Sequence, residues 1–462
     1  MIMKNSLYGG LKVVTSAALF SATVTLLLGV SISSGLAAQN DTTWQNAPSE
    51  QQVKSLSLRE AILRAFARNP EILQSSAQIQ VGKGQIDAAT AAWFPQISLQ
   101  GTTGKNHRSG SDYNTPGNPT SAGISLSQLL YDFGKTGGSI DEQKQLTEAY
   151  QYQLQSVMTD VGTQTIQAYL QSKRYQDLSQ SVVKNIASLE KVRDMAKMRA
   201  DAGLSSQSDV LQAETRIAGM NATYEQYRAQ QRTAQAELSV LTGVVAESLP
   251  DLPQALTKQK VKPQHISYKD SSMVRSAESK QQAAAQRVRQ AEAQHWPTIS
   301  VQAGRSRYND NDQSYWDDQV QLVVQAPLYQ GGAVDAKVRT SEAERRTAQA
   351  EVESVKLNIN KRAATANADL FGAQQRKLAG DQQLASATYT RDVYRDEYQL
   401  SKRSLNDLLS VEQDVVQADS ARINALYDQW DASVRYASAV DNLLMMLGIE
   451  RKTERDNMLP SL

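Results

Sequence analysis

The 462-residue sequence contains no cysteine, which excludes a disulfide framework and a lipid anchor attached to a cysteine. Aromatic residues make up only 6% of the chain, and its 49 basic residues nearly balance its 48 acidic ones. A balance so close to neutral gives no electrostatic argument for a nucleic-acid partner. Stretches rich in alanine, glutamine, serine and charged residues suit long, exposed helices better than one thick globular core.

Residue patterns that would support catalysis or cofactor binding are missing from the sequence. His107, His265 and His295 lie far apart and lack the spacing of metal ligands. Gly134-Lys135-Thr136 resembles the end of a phosphate-binding loop, but Leu129 stands where that loop needs its first glycine. No serine elbow, pair of carboxylates or complete dinucleotide loop stands out. The sequence therefore predicts a protein that is not an enzyme and that has no metal or cofactor.

The N-terminus has the pattern of a secretory signal peptide. Lys4 and Lys12 precede an apolar run from Val13 to Val30, and small residues follow at 35–38. We expect residues 1–38 to be removed and the mature chain to begin near Gln39; a single membrane anchor is the alternative interpretation. Because no later run of about 18 apolar residues occurs, membrane insertion of the mature chain would have to use strands.

One segment occurs twice, about 200 residues apart, which marks the chain as a duplication. Each copy has an aromatic-proline step, two strands joined by a polar loop, and a glycine step into a long helix. The first copy runs from Phe94 to Gly134 and the second from Trp296 to Gly332. Apolar and polar residues alternate in each strand, so each strand has one apolar face. The four predicted strands lie near 97–100, 124–127, 298–307 and 316–326.

A long helix follows each hairpin. From Ser139 to about Ala200 the chain has no proline, and apolar residues recur at spacings of 3 and 4, which predicts a coiled-coil helix ~90 Å long. Gly203 ends this helix, and Ser208 or Asp209 is expected to cap the next one. The short turn between the two helices predicts an antiparallel pair.

The second half repeats this order, with helices from Ala333 to about Leu400 and from Leu405 to Leu447. The duplication divides the chain into five predicted segments. They are the signal peptide at 1–38, a first repeat at 39–242, a proline-containing linker at 243–270, a second repeat at 271–448 and a polar tail at 449–462.

Four strands with one apolar face each, in an exported chain, indicate a membrane β-barrel whose apolar face meets lipid. Four strands cannot close a barrel, because known barrels have about eight strands or more. Three copies of the chain would supply about 12 strands. The predicted fold is therefore a mixed α and β membrane protein, a trimeric 12-stranded β-barrel with four strands per chain, continued by a long α-helical coiled-coil barrel.

The order of these features resembles the TolC-type outer-membrane exit ducts of bacteria over nearly the whole mature chain. Leu58-Arg59-Glu60-Ala61, Asn69-Pro70-Glu71-Ile72, both proline-strand copies and the step at 130–134 carry the resemblance. It implies a homotrimer in the lipid of the outer membrane, with a helical tunnel in the periplasm. It further implies that the tunnel docks on a periplasmic adaptor protein and on an inner-membrane ABC transporter or other pump.

The resemblance also implies a periplasmic gate at the turns between the paired helices. In the family, a tyrosine and an arginine of the second half link to a serine or threonine and an aspartate of the first half. By position, the first pair is Tyr398 and Arg403, and the second is Ser208 and Asp209. The alternative interpretation is local, with Asp209 as a helix cap and Arg403 as a solvated charge at a helix end.

The same comparison extends to the entrance and to the helix tips. Asp407 matches the first of two aspartates that ring the constriction of a family member, and Ser410 stands at the second, which implies a sparser acidic ring. Ser401 replaces the glycine that the family pattern has at the second tip. The resemblance assigns adaptor docking to Gly203, Leu204, Ser205, Ser401 and Lys402.

Three functions fit these features. The segment from Arg403 to Leu409, followed by Glu412, is most similar to ducts that serve type I protein secretion, and the absence of a lipid-anchor cysteine fits that group. A duct of a multidrug efflux pump would share the same fold. A structural coiled-coil protein of the envelope is the third interpretation, and it would need neither a lumen nor membrane strands.

Overall fold

The computed structural model describes residues 51–104, 106–107, 116–117, 120–253, 266–310 and 313–449. The predicted signal peptide, His265 and all but the first residue of the predicted tail lie outside the described residues. In chain order the elements are β1 (Gln51–Ser55), α1 (Leu58–Arg68), α2 (Pro70–Thr90), a 3₁₀ turn (Ala91–Trp93), β2 (Gln96–Thr103), β3 (Asn106–His107), β4 (Pro116–Gly117), β5 (Thr120–Tyr131), α3 (Lys135–Asp201), α4 (Gln207–Thr242), β6 (Val244–Ser248), a second 3₁₀ turn (Tyr268–Asp270), α5 (Ser272–Ala293), β7 (Thr298–Asp310), β8 (Gln313–Gln325), α6 (Ala333–Gln399), α7 (Leu405–Ala439) and α8 (Leu443–Met446).

Two helices of equal length dominate the structure, since α3 and α6 each run for 67 residues. At a rise of 1.5 Å per residue, each is ~100 Å long. At the end of each of these helices the chain turns sharply into a second helix. α4 packs along α3, and α7 packs along α6. The predicted long helices and their pairing are confirmed, and α3 begins one turn earlier than the sequence pattern predicted.

The buried residues of α3 explain why so long a helix is stable. They recur at spacings of 3 and 4, which keeps them on one seam of the helix. Full burial of one such leucine or valine contributes about 1.5–3 kcal/mol, and the seam repeats this gain at each turn. In the C-terminal half of α3 the seam consists of Leu178, Val182, Asn185, Leu189, Val192 and Ala196.

The four long strands form one antiparallel sheet in the order β2-β5-β7-β8. The strands β5 and β7 join the two repeated hairpins side by side. Residues of the same kind face one another across the sheet, for example Leu99 opposite Ile124 and Val301 opposite Leu322. The first and last strands, β2 and β8, each have one edge that pairs with no other strand in the described residues.

The sheet has one apolar and one polar face, as the alternation predicted. Leucine, isoleucine and valine side chains on the apolar face are strongly exposed, with Leu99 at 83% and Val320 at 80%. The opposite face carries paired hydroxyls and amides, such as Ser98 with Ser125 at 2.7 Å. A single chain therefore leaves this apolar face without a protein partner among the described residues.

No helix in the described part of the chain combines enough length and apolar character to span a membrane.

The strand-to-helix step has the same backbone in both copies. Phe133 and Gly134 have φ of 58° and 97°, and Gly331 and Gly332 have φ of 62° and 80°. A phenylalanine rarely adopts this left-handed conformation. Phe133 is held there by its ring, which lies 4.6 Å from the ring of Tyr131 and stacks at 5.5 Å on the ring of Trp296.

Asp132 connects this step to the start of α3. Its buried carboxylate accepts hydrogen bonds from the backbone N–H groups of Gly134 (3.1 Å) and Thr136 (2.7 Å). These groups belong to the helix start, where backbone donors lack partners within the helix. The equivalent residue of the second copy, Gln330, is exposed.

We predict that Asp132→Ala lowers the free energy of unfolding by about 1–2 kcal/mol, the usual cost of losing a helix cap. Urea-induced unfolding of the purified protein in detergent measures this change. Gln330→Ala is the matched control and should leave the unfolding midpoint nearly unchanged. Equal midpoints for the two variants would show that the carboxylate does not stabilise the helix start.

The last long helix ends earlier than the sequence pattern predicted. Apolar spacing continues to Leu447, but α7 ends at Ala439 and only the short α8 follows. Asp441 adopts a left-handed conformation with φ of 56°. Its carboxylate accepts the backbone N–H of Ser272 at 2.7 Å and the hydroxyl of Thr159 at 3.0 Å. The chain leaves the helix there because this contact caps the start of α5.

The apolar core lies in two separate clusters. The larger one surrounds α1 and the middle of α3, and it includes the fully buried Phe66 and Tyr427. The linker contributes β6, which pairs in parallel with β1 beside this cluster. The smaller cluster lies at the far end of the long helices, next to the turns.

Candidate functional site

The two turns between the long helices are built in the same way. At the end of α3, Gly203 has φ of 71°, and the N–H of Leu204 donates to the carbonyl of Arg199 at 2.8 Å. At the end of α6, Ser401 has φ of 58°, and the N–H of Lys402 donates to the carbonyl of Glu397 at 2.8 Å. This pattern ends both helices and normally has glycine at the left-handed position. Ser401 therefore keeps the glycine geometry at the second tip.

Serines cap the helices that leave the two turns. The hydroxyl of Ser206 accepts a hydrogen bond from the backbone N–H of Ser208 at 3.2 Å, so Ser206 caps α4. The prediction that Ser208 or Asp209 caps this helix was wrong. Ser208 is exposed, and its hydroxyl lies 3.0 Å from that of Ser206. Ser404 caps α7 and forms a reciprocal capping box with Asp407, whose carboxylate accepts the N–H of Ser404 at 3.3 Å. The acidic ring at Asp407 stays a prediction.

Tyr398 lies inside the smaller apolar cluster rather than on the surface. Its side chain is only 3% exposed, and the cluster includes Val210 of α4 and Leu408 of α7. Burial raises the pKa of Tyr398, and the nearby Asp209 carboxylate raises it further, while Arg199 acts against both. The phenol is therefore neutral at physiological pH, and its hydroxyl has no hydrogen-bond partner in the described structure. Of the four predicted gate residues, Tyr398 and Asp209 therefore interact electrostatically.

Arg403 contacts its own helix pair in the single chain. Its Nε donates to the carboxylate of Glu397 at 2.9 Å, and its guanidinium lies 4.4 Å from the centre of the Tyr394 ring. Its side chain is 41% exposed. A link from Arg403 to Ser208 or Asp209, and with it the gate role of these residues, stays a prediction.

Arg199 joins the two turns within one chain, and the sequence comparison did not identify it. Its guanidinium donates to the carbonyls of Tyr398 (2.7 Å) and Gln399 (3.4 Å) and to the hydroxyl of Ser401 (2.9 Å). It also lies 4.9 Å from the centre of the Tyr398 ring. One side chain of the first repeat thus holds the backbone and a side chain of the second repeat.

A buried polar cluster lies on α3, α6 and α7, close to the tips of these helices. The side chain of Glu412 on α7 is 1% exposed and accepts hydrogen bonds from Arg395 Nη2 (3.0 Å), Ser188 Oγ (2.6 Å) and Asn185 Nδ2 (3.3 Å). Ser188 and Asn185 belong to α3, so this cluster also joins the two repeats. Removal of one member would leave the others desolvated without their partner.

We predict that Glu412→Ala lowers the free energy of unfolding by about 2–3 kcal/mol. This loss is small for a broken buried ion pair, because the Asp392 carboxylate still lies near Arg395. Chemical unfolding in detergent tests this value. Asp392→Ala removes an exposed partner of the same arginine and should cost less than about 1 kcal/mol. If both variants lose the same stability, burial of Glu412 has no special weight.

Within the described ranges, no group of three or more histidine, aspartate or glutamate side chains is arranged to hold a metal ion.

Comparisons with known proteins agree with the duplicated architecture. The family model described as "Outer membrane efflux protein" matches residues 61–244 and 269–440. The chain is 25% identical over 407 residues to the outer membrane efflux protein BepC of Brucella suis, covering 85% of this chain and 87% of that protein. It is 25% identical over 350 residues to Protein CyaE of Bordetella pertussis, covering 72% of this chain and 73% of that protein.

The solved structure of the outer-membrane channel OprN superposes with a TM-score of 0.71 at 19% identity, over 83% of this chain and 90% of that one. This likeness shows that the two chains share a fold.

Proposed function

Because the chain belongs to the outer membrane efflux protein family, we propose that it is the exit duct of a type I protein secretion system, a passive trimeric channel gated at its periplasmic end. The family places the protein in the outer membrane and among channels rather than enzymes. The proposal adds the trimer, the gate and the kind of transport system.

The open sheet is the observation that carries the proposal. Its four strands expose one apolar face, and the outer edges of β2 and β8 are unpaired among the described residues. Unpaired backbone groups cannot face lipid, so a membrane sheet must close on itself. Pairing of β8 with β2 of the next copy closes the sheet, and three copies give a barrel of about 12 strands.

The long helices would continue this barrel as a periplasmic tunnel. Their tips would then form its entrance, with Tyr398, Arg403, Ser208 and Asp209 at the gate and Asp407 in an acidic ring. We add Arg199 to the gate because it joins the two repeats in each chain. The residues proposed to meet a periplasmic adaptor lie at the tips, where Leu204 is 68% exposed. They are Gly203, Leu204, Ser205, Ser401 and Lys402.

Imaging and conductance test the duct itself. The detergent-purified protein should appear as a long hollow cylinder with threefold symmetry, and it should conduct ions across a planar bilayer. A soluble rod, or a sealed particle that does not conduct in lipid, would instead support a structural envelope protein.

Secretion is favoured over efflux by two sequence features. The segment 403–409 with Glu412 is most similar to secretion ducts, and the chain has no cysteine for a lipid anchor. Efflux remains the second candidate because BepC is described as an efflux protein.

Crosslinking in cells followed by purification discriminates between the two functions. An ABC-type ATPase with an adaptor protein in the purified complex is the result expected for secretion. A proton-driven pump in the same position would overturn the secretion assignment and support efflux.

A further inference from the structure

Two arginines lie on the apolar face of the sheet, at its end far from the helices. Strand register places Arg305 opposite Asp318 and Arg307 opposite Trp316. Alternate residues of a strand share one face, so Arg305 and Arg307 lie on the same face as Val301 and Ala303. A charged group on a face turned to lipid is costly unless it reaches the polar border of the membrane.

The position along the strand matches that border. Trp296, stacked on Phe133 at the helix end of the sheet, marks one edge of the apolar band. Nine residues further along the chain, Arg305 lies ~30 Å away along the strand, or ~23 Å along the membrane normal for a strand tilted by about 40°. The apolar band of outer-membrane barrels is about 25 Å tall with aromatic residues at both edges. Trp316 is the aromatic residue expected at the second edge.

A shallow apolar groove leads to these arginines. It crosses β2, β5, β7 and β8 on the apolar face and ends at Arg305 and Asp318. Its floor is low at Ala303, whose methyl group lies between larger side chains on both neighbouring strands. The apolar residues that line the groove are Ile97, Ile124, Leu126, Ala303 and Val320.

Among the described residues, both guanidinium groups keep N–H donors that have no protein partner at the end of this groove. Arg305 Nε lies 3.3 Å from the Asp318 carboxylate, but both side chains are more than half exposed, so the ion pair is weak. Arg307 uses Nε to donate to the Ser314 hydroxyl at 3.2 Å. Both guanidiniums lie over the Trp316 ring, at 4.7 and 5.7 Å from its centre. The Trp316 ring therefore holds two cationic groups at a place where Asp318 supplies only one carboxylate.

We propose that Arg305, Arg307 and Trp316 bind the headgroup phosphate of a lipid in the outer leaflet, with an acyl chain of that lipid in the groove. Two arginine forks suit the oxygens of a phosphate. The continuous apolar groove favours a lipid over free phosphate, since a free anion would make no use of it. The inference rests on the proposed barrel, which turns this face to lipid.

Native mass spectrometry of the intact protein in neutral detergent tests the site. The probes are lipid A with its two phosphates and the same lipid A after removal of both. We expect the wild type to bind the phosphorylated lipid at least tenfold more tightly. In the double variant Arg305→Gln/Arg307→Gln this ratio should fall close to one.

A matched control removes two exposed arginines from α6, Arg345→Gln/Arg346→Gln, and should keep the wild-type ratio. Displacement of bound lipid by an equimolar amount of inorganic phosphate would identify a free-anion site and overturn the proposal. So would an unchanged ratio in the Arg305/Arg307 variant. The measured mass and the bilayer conductance separate this failure from that of the duct: a conducting trimer without the preference refutes only the lipid site, whereas a non-conducting monomer refutes both.

Discussion

Leu322→Arg is expected to reduce the folded trimer recovered in lipid bilayers by more than tenfold. Leu322 lies on the apolar face opposite Val301, about midway between Trp296 and Arg305, and is 63% exposed in the single chain. An arginine at the middle of the lipid-facing band costs about 2–4 kcal/mol, and a trimer would carry three of them. Refolding into vesicles, followed by gel analysis of unheated samples, measures the recovered trimer.

The neighbouring residue supplies the matched control. Gln321 lies on the opposite face of the same strand, where its amide donates to the Gln302 side chain at 3.3 Å. Gln321→Arg would place the same charge in an aqueous lumen and should leave trimer recovery within about twofold of wild type, since charged substitutions are tolerated there. Equal recovery of the two arginine variants would contradict the assignment of the apolar face to lipid.

Arg199→Ala is expected to raise single-channel conductance several-fold, because it removes the side chain that joins the two repeats at the tips. Three hydrogen bonds from a charged donor would be lost, two of them shorter than 3 Å. A hydrogen bond to a charged group contributes about 1.5–3 kcal/mol, less where water competes. A shift of about 1.4 kcal/mol already changes the ratio of open to closed channels tenfold. Planar-bilayer recordings measure this effect.

Two variants sharpen this test. Arg193→Ala removes an arginine from the same helix whose partner is the adjacent Asp194, so conductance should stay at the wild-type level. Ser401→Gly relieves the strained backbone but removes one acceptor of Arg199, so it should produce a smaller rise. Unchanged conductance in Arg199→Ala would contradict the proposed role of Arg199.

The same recordings compare the gate residues that the family resemblance assigned. Arg403 is exposed in the turn after α6 and bonded to Glu397 near the end of that helix, so Arg403→Ala should have a smaller effect than Arg199→Ala. Asp209→Ala acts beside the buried Tyr398 and should also loosen the tip. A larger rise for Arg403→Ala would indicate that links between copies, rather than Arg199, hold the entrance closed.

Much of the fold could be predicted from the sequence because its signals are periodic. Spacings of 3 and 4 over more than 60 residues have few interpretations besides a long coiled-coil helix. Strict alternation in four segments similarly requires strands with one apolar face. The repeat made each assignment twice, so the first half supported the second.

The features that the sequence did not reveal depend on distant or backbone contacts. The cap of α4 was misplaced because several serines precede the helix, and their spacing does not show which hydroxyl meets the backbone. The end of α7 was misplaced because Asp441 leaves the helix to contact Ser272, which lies far away in the chain. Arg199 was missed because two of its acceptors are carbonyls, which every residue has. Its charge does differ from that of Glu397 at the equivalent place in the repeat, and that difference is a signal.

Because α3 and α6 have the same length, the two turns lie at the same distance from the starts of their helices. α3 begins four residues after β5 and α6 begins eight residues after β8, and both helices end in a turn of the same design. In the proposed duct the two turns would therefore lie at a similar depth below the membrane. One residue inserted into only one of the helices would lower its turn by 1.5 Å and rotate it by about 100°. Arg199 would then no longer meet the carbonyls of the second turn. If the proposed duct is correct, changes in the length of its tunnel would therefore require matched insertions in both halves of the chain.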